Sequence, residues 1–267
     1  MLAQHRLYKH NREFKKLERK LSHWYPLGSS DDSFRIDHGS NYFSFFKRLG
    51  SVKVAGIYNN NKLVGDFIGV LRDIPLGGSK NMSTWYLCDL KLLPEHRGNR
   101  LSLDLFMIGR KYLARCRSFY GISMNSGDKP NHILRLARRI PLLKMKSILL
   151  YIYSLNYDQM CSASPYLKRG RGRISFLSLR SKKDLILKSS KATMPLLHVQ
   201  WGENISVLDE TVFLDPQPEH QHMFCVPEHD PLREELENAG IETRITATII
   251  FHCMEESDWK FVLTSEI

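Results

Sequence analysis

The feature that most constrains the fold of this 267-residue chain is a set of three β-patterned runs between positions 52 and 93. Runs 52–58 and 63–73 alternate apolar with other side chains, and Asn59, Asn60, Asn61 and Lys62 stand between them. Asparagine tolerates positive φ, so this spacing reads as a hairpin. Gly77 and Gly78 mark a second turn, and Pro94 closes a third run over 85–93. Helical patterns lie on either side. Leu7, Phe14, Leu17 and Leu21 recur at helical spacing within 4–24, and Leu105, Phe106, Gly109, Tyr112 and Leu113 share one face of 101–115;. A strand at 119–124, a short basic helix at 131–139 and a strand at 147–155 complete a layered mixture of helix and sheet;. Residues 170–267 are strand-patterned (173–179, 196–201, 205–214, 223–226, 244–254, 260–264). One helix interrupts them, capped by Asp230, entered at Pro231 and closed by Gly240;.

Charge divides the chain more sharply than pattern does. The formal charge of +11 is a difference: residues 1–191 carry 36 basic against 13 acidic side chains, and residues 192–267 carry 3 against 15. A field of this size attracts an anionic partner such as nucleic acid, a phosphorylated cofactor, an acidic carrier protein or anionic lipid. The alternative is internal neutralisation, with the acidic segment packed beside the basic body. The run Lys168, Arg169, Gly170, Arg171, Gly172, Arg173 suits a loop that attracts RNA or a membrane surface, but it falls where composition shifts, between Tyr157 and Lys191, and reads first as a solvated linker;. No apolar run nears the roughly 20 residues that cross a bilayer, and no apolar segment follows the first basic residues as in a secretory signal. Five scattered cysteines without a C-x-x-C point to a reducing, cytoplasmic setting;. His220, His222 and Cys225 fit no standard zinc spacing, and no metal is expected. A nucleophile elbow and a G-x-x-x-x-G-K-[ST] loop are both absent from the sequence.

The segment that carries chemistry is Cys88-Asp89-Leu90-Lys91-Leu92-Leu93-Pro94-Glu95-His96-Arg97-Gly98-Asn99-Arg100-Leu101-Ser102. A strand runs into a short polar turn and then into the start of a helix, so successive amides face outward at the positive end of the helix dipole. Arg97 and Arg100 add fixed charge there, a combination suited to phosphate. The run L-x-P-x-x-R-G-x-x-L-x-x-x-L, formed by Leu92, Pro94, Arg97, Gly98, Leu101 and Leu105, resembles the cofactor motif of the GNAT acetyltransferase superfamily. The order of elements over about residues 40–160 resembles that family too. The pattern departs where the family usually has two later glycines, here Arg100 and Ser102. It departs again after the next strand, where Asn131, Leu134, Ala137 and Arg138 replace a signature that normally ends in tyrosine.

The resemblance implies an α+β fold: a mixed, mostly antiparallel sheet flanked by helices, with a C-terminal strand-rich extension or second lobe. It implies an acyl-CoA-binding domain over 1–165, leaving 166–267 as an acidic α+β lobe. The implied reaction is transfer of an acetyl or longer acyl group from acetyl-CoA, or another acyl-CoA, to an amine of an unidentified acceptor; an acyl carrier protein is the alternative donor. Leu90, Leu92, Arg97, Gly98, Asn99, Arg100, Leu101, Ser102 and Asn131 are the expected cofactor contacts. Asp89 is the expected base, and Tyr151 or Tyr153 stands in for the missing acid. The competing expectation is a catalytically inactive GNAT-like module whose basic face docks nucleic acid or a protein.

Overall fold

The structure, a computed structural model, describes residues 2–3, 11–21, 24–26, 32–75, 81–97, 116–125, 131–140, 143–202, 210–255 and 257–267. The chain starts with β1 (Leu2–Ala3), α1 (Asn11–Lys20), β2 (Tyr25–Pro26), β3 (Ser33–Asp37) and α2 (Ser44–Leu49). The three runs of the meander become β4 (Ser51–Asn59), β5 (Lys62–Pro75) and β6 (Asn81–Leu92). Asn60 and Asn61 adopt φ of 46° and 61° in the tight turn between the first two;. Then come β7 (Phe119–Met124), α3 (His132–Ala137), β8 (Lys146–Leu155), α4 (Tyr157–Arg171), β9 (Ile174–Ser178) and β10 (Asp184–Leu187). The last third holds β11 (Leu196–Trp201), β12 (Thr211–Phe213), β13 (Gln221–Pro227), α5 (Pro231–Asn238) and β14 (Ile245–His252). The helix expected over 101–115 lies outside the described residues.

Among the described residues, eleven strands form one sheet in the order β1-β4-β5-β6-β7-β14-β8-β13-β11-β9-β12, and β10-β3-β2 form a smaller one. Among the described strands only β6 with β7 and β11 with β13 pair in parallel, so the architecture is mixed α+β with a mostly antiparallel sheet. Strands from before and after residue 165 share the large sheet: β14 lies between β7 and β8, pairing Ile250 with Gly121 on one side and with Ser147 on the other. Strand alternation sends the two faces into different cores. Leu150 and Ile152 of β8 join Phe14, Tyr42, Phe46, Ile68 and Ile249 under α1 and α2. Tyr153 and Leu155 join Met160, Leu167, Phe224, Leu232 and Leu236 under α4 and α5.

Three expectations are corrected. The boundary region is not a linker: residues 157–171 form a helix whose start carries a full capping box between Asn156 and Gln159;. The basic run ends that helix, and Arg171 is buried in an ion pair with Asp230 (side chains 4% and 3% exposed) rather than solvated. Residues 260–264 are not a strand. Trp259, at φ 59°, breaks the extended path, and a 3-10 turn follows at Thr264–Glu266.

The charge split is partly internal. Arg48 and Lys182 both pair with Glu210, Arg72 with Glu266, Lys146 with Glu255, Arg169 with Glu235 and Arg171 with Asp230. In each of these pairs a cation before residue 192 meets an acid after it, so the acidic segment neutralises part of the basic body.

Candidate functional site

The site is built on an irregularity in β6. Ile68 of β5 faces Cys88 and Asp66 faces Lys91, so β6 carries one more residue than its partner across this interval. Asp89 absorbs the extra residue at φ 53°, a left-handed conformation that aspartate accepts more readily than most side chains;. The bulge shifts the strand's phase. Leu90 and Leu92 turn into a small cluster with Leu17 and Val64, while Asp89 and Lys91 turn toward the main core.

There they meet Tyr42, which is fully buried and T-stacked on Phe43. The Tyr42 hydroxyl lies 3.0 Å from Asp66 Oδ2 and 2.8 Å from Lys91 Nζ, and it bonds Asp89 Oδ2 closely. Lys91 also pairs with Asp89 Oδ1. Valence fixes the protons. The Tyr42 hydroxyl has one hydrogen, given to Asp89 Oδ2, and two lone pairs, which accept from Lys91 and from a protonated Asp66. Asp66 Oδ1 has no partner and is sealed, a position tolerable for a neutral acid and costly for a carboxylate;. The electrostatics agree. Burial, reinforced by the charge of Asp89, raises the Asp66 carboxyl well above its ordinary value. Burial also pushes Asp89 up, but the charge of Lys91 and the hydrogen bonds from Lys91 and Tyr42 hold that carboxyl below the usual range. Burial and the two aspartates raise Tyr42 well above an ordinary phenol.

Against Tyr42 packs a second pair. His38 lies 5.2 Å from the Tyr42 ring and stacks on Phe46 at 5.0 Å, and its Nδ1 bonds Glu18 Oε1 of α1.

The open edge of β6 adjoins this cluster. Its parallel ladder with β7 consists of Trp85 with Phe119 and Tyr86 with Tyr120. Gly121 then passes so close that a Cβ there would sit 2.9 Å from the Leu87 carbonyl oxygen. Beyond it β7 continues along β14, and Cys88–Leu92 have ladder partners only on β5 among the described residues. Arg97 is exposed and donates from Nε to the Leu92 carbonyl at 3.0 Å, which folds the Pro94–His96 turn back onto the end of the strand.

The sequence-derived residues are placed unequally. Asp89, Leu90, Leu92 and Arg97 lie along this strand end. Gly98, Asn99, Arg100, Leu101 and Ser102 lie outside the described residues. Asn131 caps α3, accepting from Leu134 N at 3.1 Å and donating to Ser123 O and Asn125 Oδ1. Tyr151 and Tyr153 are not brought to Asp89. Both side chains lie in the other core, Tyr153 stacked on Phe224 at 4.7 Å and Tyr151 under Arg233 at 4.6 Å. Burial and Glu237 push the Tyr153 hydroxyl up to about 12. Sequence reasoning missed Tyr42, Asp66, Lys91, Glu18 and His38. The available signal was an acid at position 66 on the core-facing phase of the otherwise uncharged run 63–71.

The described residues contain no group of three or more His, Cys, Asp or Glu arranged to hold a metal. No helix among them is long and apolar enough to cross a membrane. All five cysteines are free.

No protein-family model matches the chain. It is similar to an uncharacterized protein of Acanthamoeba polyphaga mimivirus, with 26% identity over 236 residues that cover 85% of this chain and 68% of that one. Among solved structures it is similar to Arabidopsis thaliana NAA60 in complex with a bisubstrate analogue (11% identity, 58% of this chain, 87% of that chain, TM-score 0.39). It is also similar to the aminoglycoside 6'-N-acetyltransferase from Enterococcus faecium (13%, 48% and 62%, TM-score 0.34). A third is the ribosomal-protein-alanine N-acetyltransferase from Brucella melitensis (16%, 43% and 72%, TM-score 0.31). These solved structures are GNAT acetyltransferases, and they cover about half of this chain.

Proposed function

We propose that the chain is a GNAT-type acyltransferase that moves an acetyl or longer acyl group from an acyl-CoA to an amine. The observation that carries this reading is the junction of an open strand edge at Cys88–Leu92 with a buried, proton-counted cluster on the same strand. An acyl-CoA supplies a thioester carbonyl when bound. Backbone amides of an unpaired strand are pre-oriented donors for such a carbonyl, and they need no rearrangement as charge develops on its oxygen. Leu90 and Leu92 lie on that edge, Arg97 fixes the turn at its end, and Arg97 with Arg100 supplies positive charge for phosphates. Asp89 remains ionised beside Lys91, and the pair anchors the bulge that presents this edge. An acyl carrier protein is the alternative donor, and the free cysteines suit a reducing, cytoplasmic setting.

The test is thermal unfolding with and without acetyl-CoA, then with longer acyl-CoAs and acyl-loaded carrier protein. A ligand bound only by the folded state stabilises it by about 2.7 kcal/mol at a concentration 100-fold above Kd. Arg97→Ala is expected to weaken that shift. Absence of a shift with every donor refutes the proposal. One observation favours the non-catalytic reading as a second hypothesis: Arg135, Arg138, Arg139 and Lys144 are exposed and make no ion pair among the described residues. A nucleic-acid-binding module built on them would lose affinity steeply with salt, and binding indifferent to salt excludes it.

A further inference from the structure

On the acyl-transfer reading, one question is which group takes the acceptor's proton. Asp89 is the residue the sequence offers, but both of its oxygens are committed, one to Lys91 and one to Tyr42. Asp66 already holds a proton and is sealed from solvent. Lys91 and Tyr42 are used within the same network. We propose that His38 is the catalytic base, held in its working tautomer by Glu18 as a positioning residue.

The geometry supports this assignment in three ways. The Glu18 carboxylate can only accept, so the Nδ1 that bonds it carries the hydrogen and the lone pair of a neutral ring falls on Nε2;. Nε2 has no hydrogen-bond partner among the described residues, and the side chain keeps 9% of its surface open. The ring is also held in place: it stacks on Phe46 and lies edge-on to Tyr42, 5.0 and 5.2 Å away. The backbone fixes it further. Gly39, at φ 67°, brings the loop so close to Ser181 that a Cβ would fall 1.8 Å from the Ser181 carbonyl oxygen, and Asp37 Oδ1 accepts from Gly39 N at 2.9 Å.

The step balances. The amine nitrogen forms a bond to the acyl carbon, the carbon–sulfur bond breaks with its electron pair going to sulfur, and Nε2 takes the N–H proton. The thiolate then recovers a proton from the imidazolium or from water, giving amide and thiol.

The test needs no known acceptor. Diethyl pyrocarbonate acylates a neutral imidazole nitrogen with a free lone pair, and peptide mass spectrometry assigns each modified histidine. The expected result is that His38 is modified despite its burial and that saturating acetyl-CoA slows it by about tenfold or more. His229, whose side chain is 80% exposed, serves as the unprotected internal standard. Glu18→Gln slows His38 modification, because the amide can donate to Nδ1 and move the ring hydrogen to Nε2, and Glu18→Asp restores it;. Acetyl-CoA that raises the melting temperature yet leaves His38 unmodified or unprotected refutes the base assignment and spares the acyl-transfer reading. Acetyl-CoA that produces no melting shift refutes the acyl-transfer reading, and the base assignment falls with it.

Discussion

Two aspartates 23 positions apart in the sequence touch the same hydroxyl, yet replacing each by asparagine is expected to have opposite consequences. Asp66→Asn puts an amide N–H where a protonated acid donates to Tyr42 across 3.0 Å, so that bond is kept and the site stays uncharged, with one further amide hydrogen;. The expected change at pH 7 is within about 1 kcal/mol, with stabilisation permitted. Asp89→Asn removes the counter-charge of Lys91 and gives Tyr42 and Lys91 an amide with only one acceptor oxygen. Both members of that pair are largely buried, at 13% and 16% side-chain exposure, and stranding one partner of a buried pair costs about 3–5 kcal/mol. For a chain of this size that corresponds to a fall in melting temperature on the order of 10 °C. The pH dependence separates the variants further. The folded state keeps the Asp66 proton above the pH, about 4, where the unfolded chain loses it, so this group makes stability fall as pH rises through that window;. Asp66→Asn therefore gains on the parent as pH rises above about 4;. Asp89 has the reverse sign: its folded value is depressed, and its contribution is present above about pH 4 and lost on acidification below it;. The deficit of Asp89→Asn thus narrows in acid. Melting curves by circular dichroism between pH 4 and 8 decide the matter. An Asp66→Asn variant as damaged as Asp89→Asn at pH 7 would overturn the proton assignment.

Two further outcomes are expected. Arg171→Met leaves Asp230 buried without its cation and should cost about 3–5 kcal/mol in urea unfolding, whereas the exposed pair broken by Arg169→Met should cost under about 1 kcal/mol;; equal costs would contradict the burial argument. Tyr153→Phe removes a hydroxyl from a ring stacked in the other core and is expected to leave acetyl-CoA protection unchanged; its loss with the fold intact would return Tyr153 to the site.

The meander was legible because strand alternation and turn asparagines are local signals, and β4 to β6 begin and end within a few residues of their patterned runs. The polar cluster was harder to read. Asp89 stood out on its strand, but its partners arrive from positions 42 and 66 through tertiary packing, and the bulge that turns Lys91 inward breaks the period on which strand reading depends;. α4 was hidden for a different reason. Pro165, Gly170 and the closing arginines look like loop composition, and its core-facing residues include the small Ala163 and Ser164 beside Met160 and Leu167. The Asn156–Gln159 capping box was the overlooked cue.

The position of β14 has a consequence for how the molecule is made. Residues 245–252 fill the slot between two strands that precede them by more than 90 positions. Until that segment leaves the ribosome, a nascent chain holds β7 and β8 with facing edges bare in the middle of its sheet, and bare apolar edges are templates for aggregation. The contacts that close the sheet are among the most distant in sequence, which makes closure a late and slow event. A truncation before residue 245 would remove the central seam of the sheet.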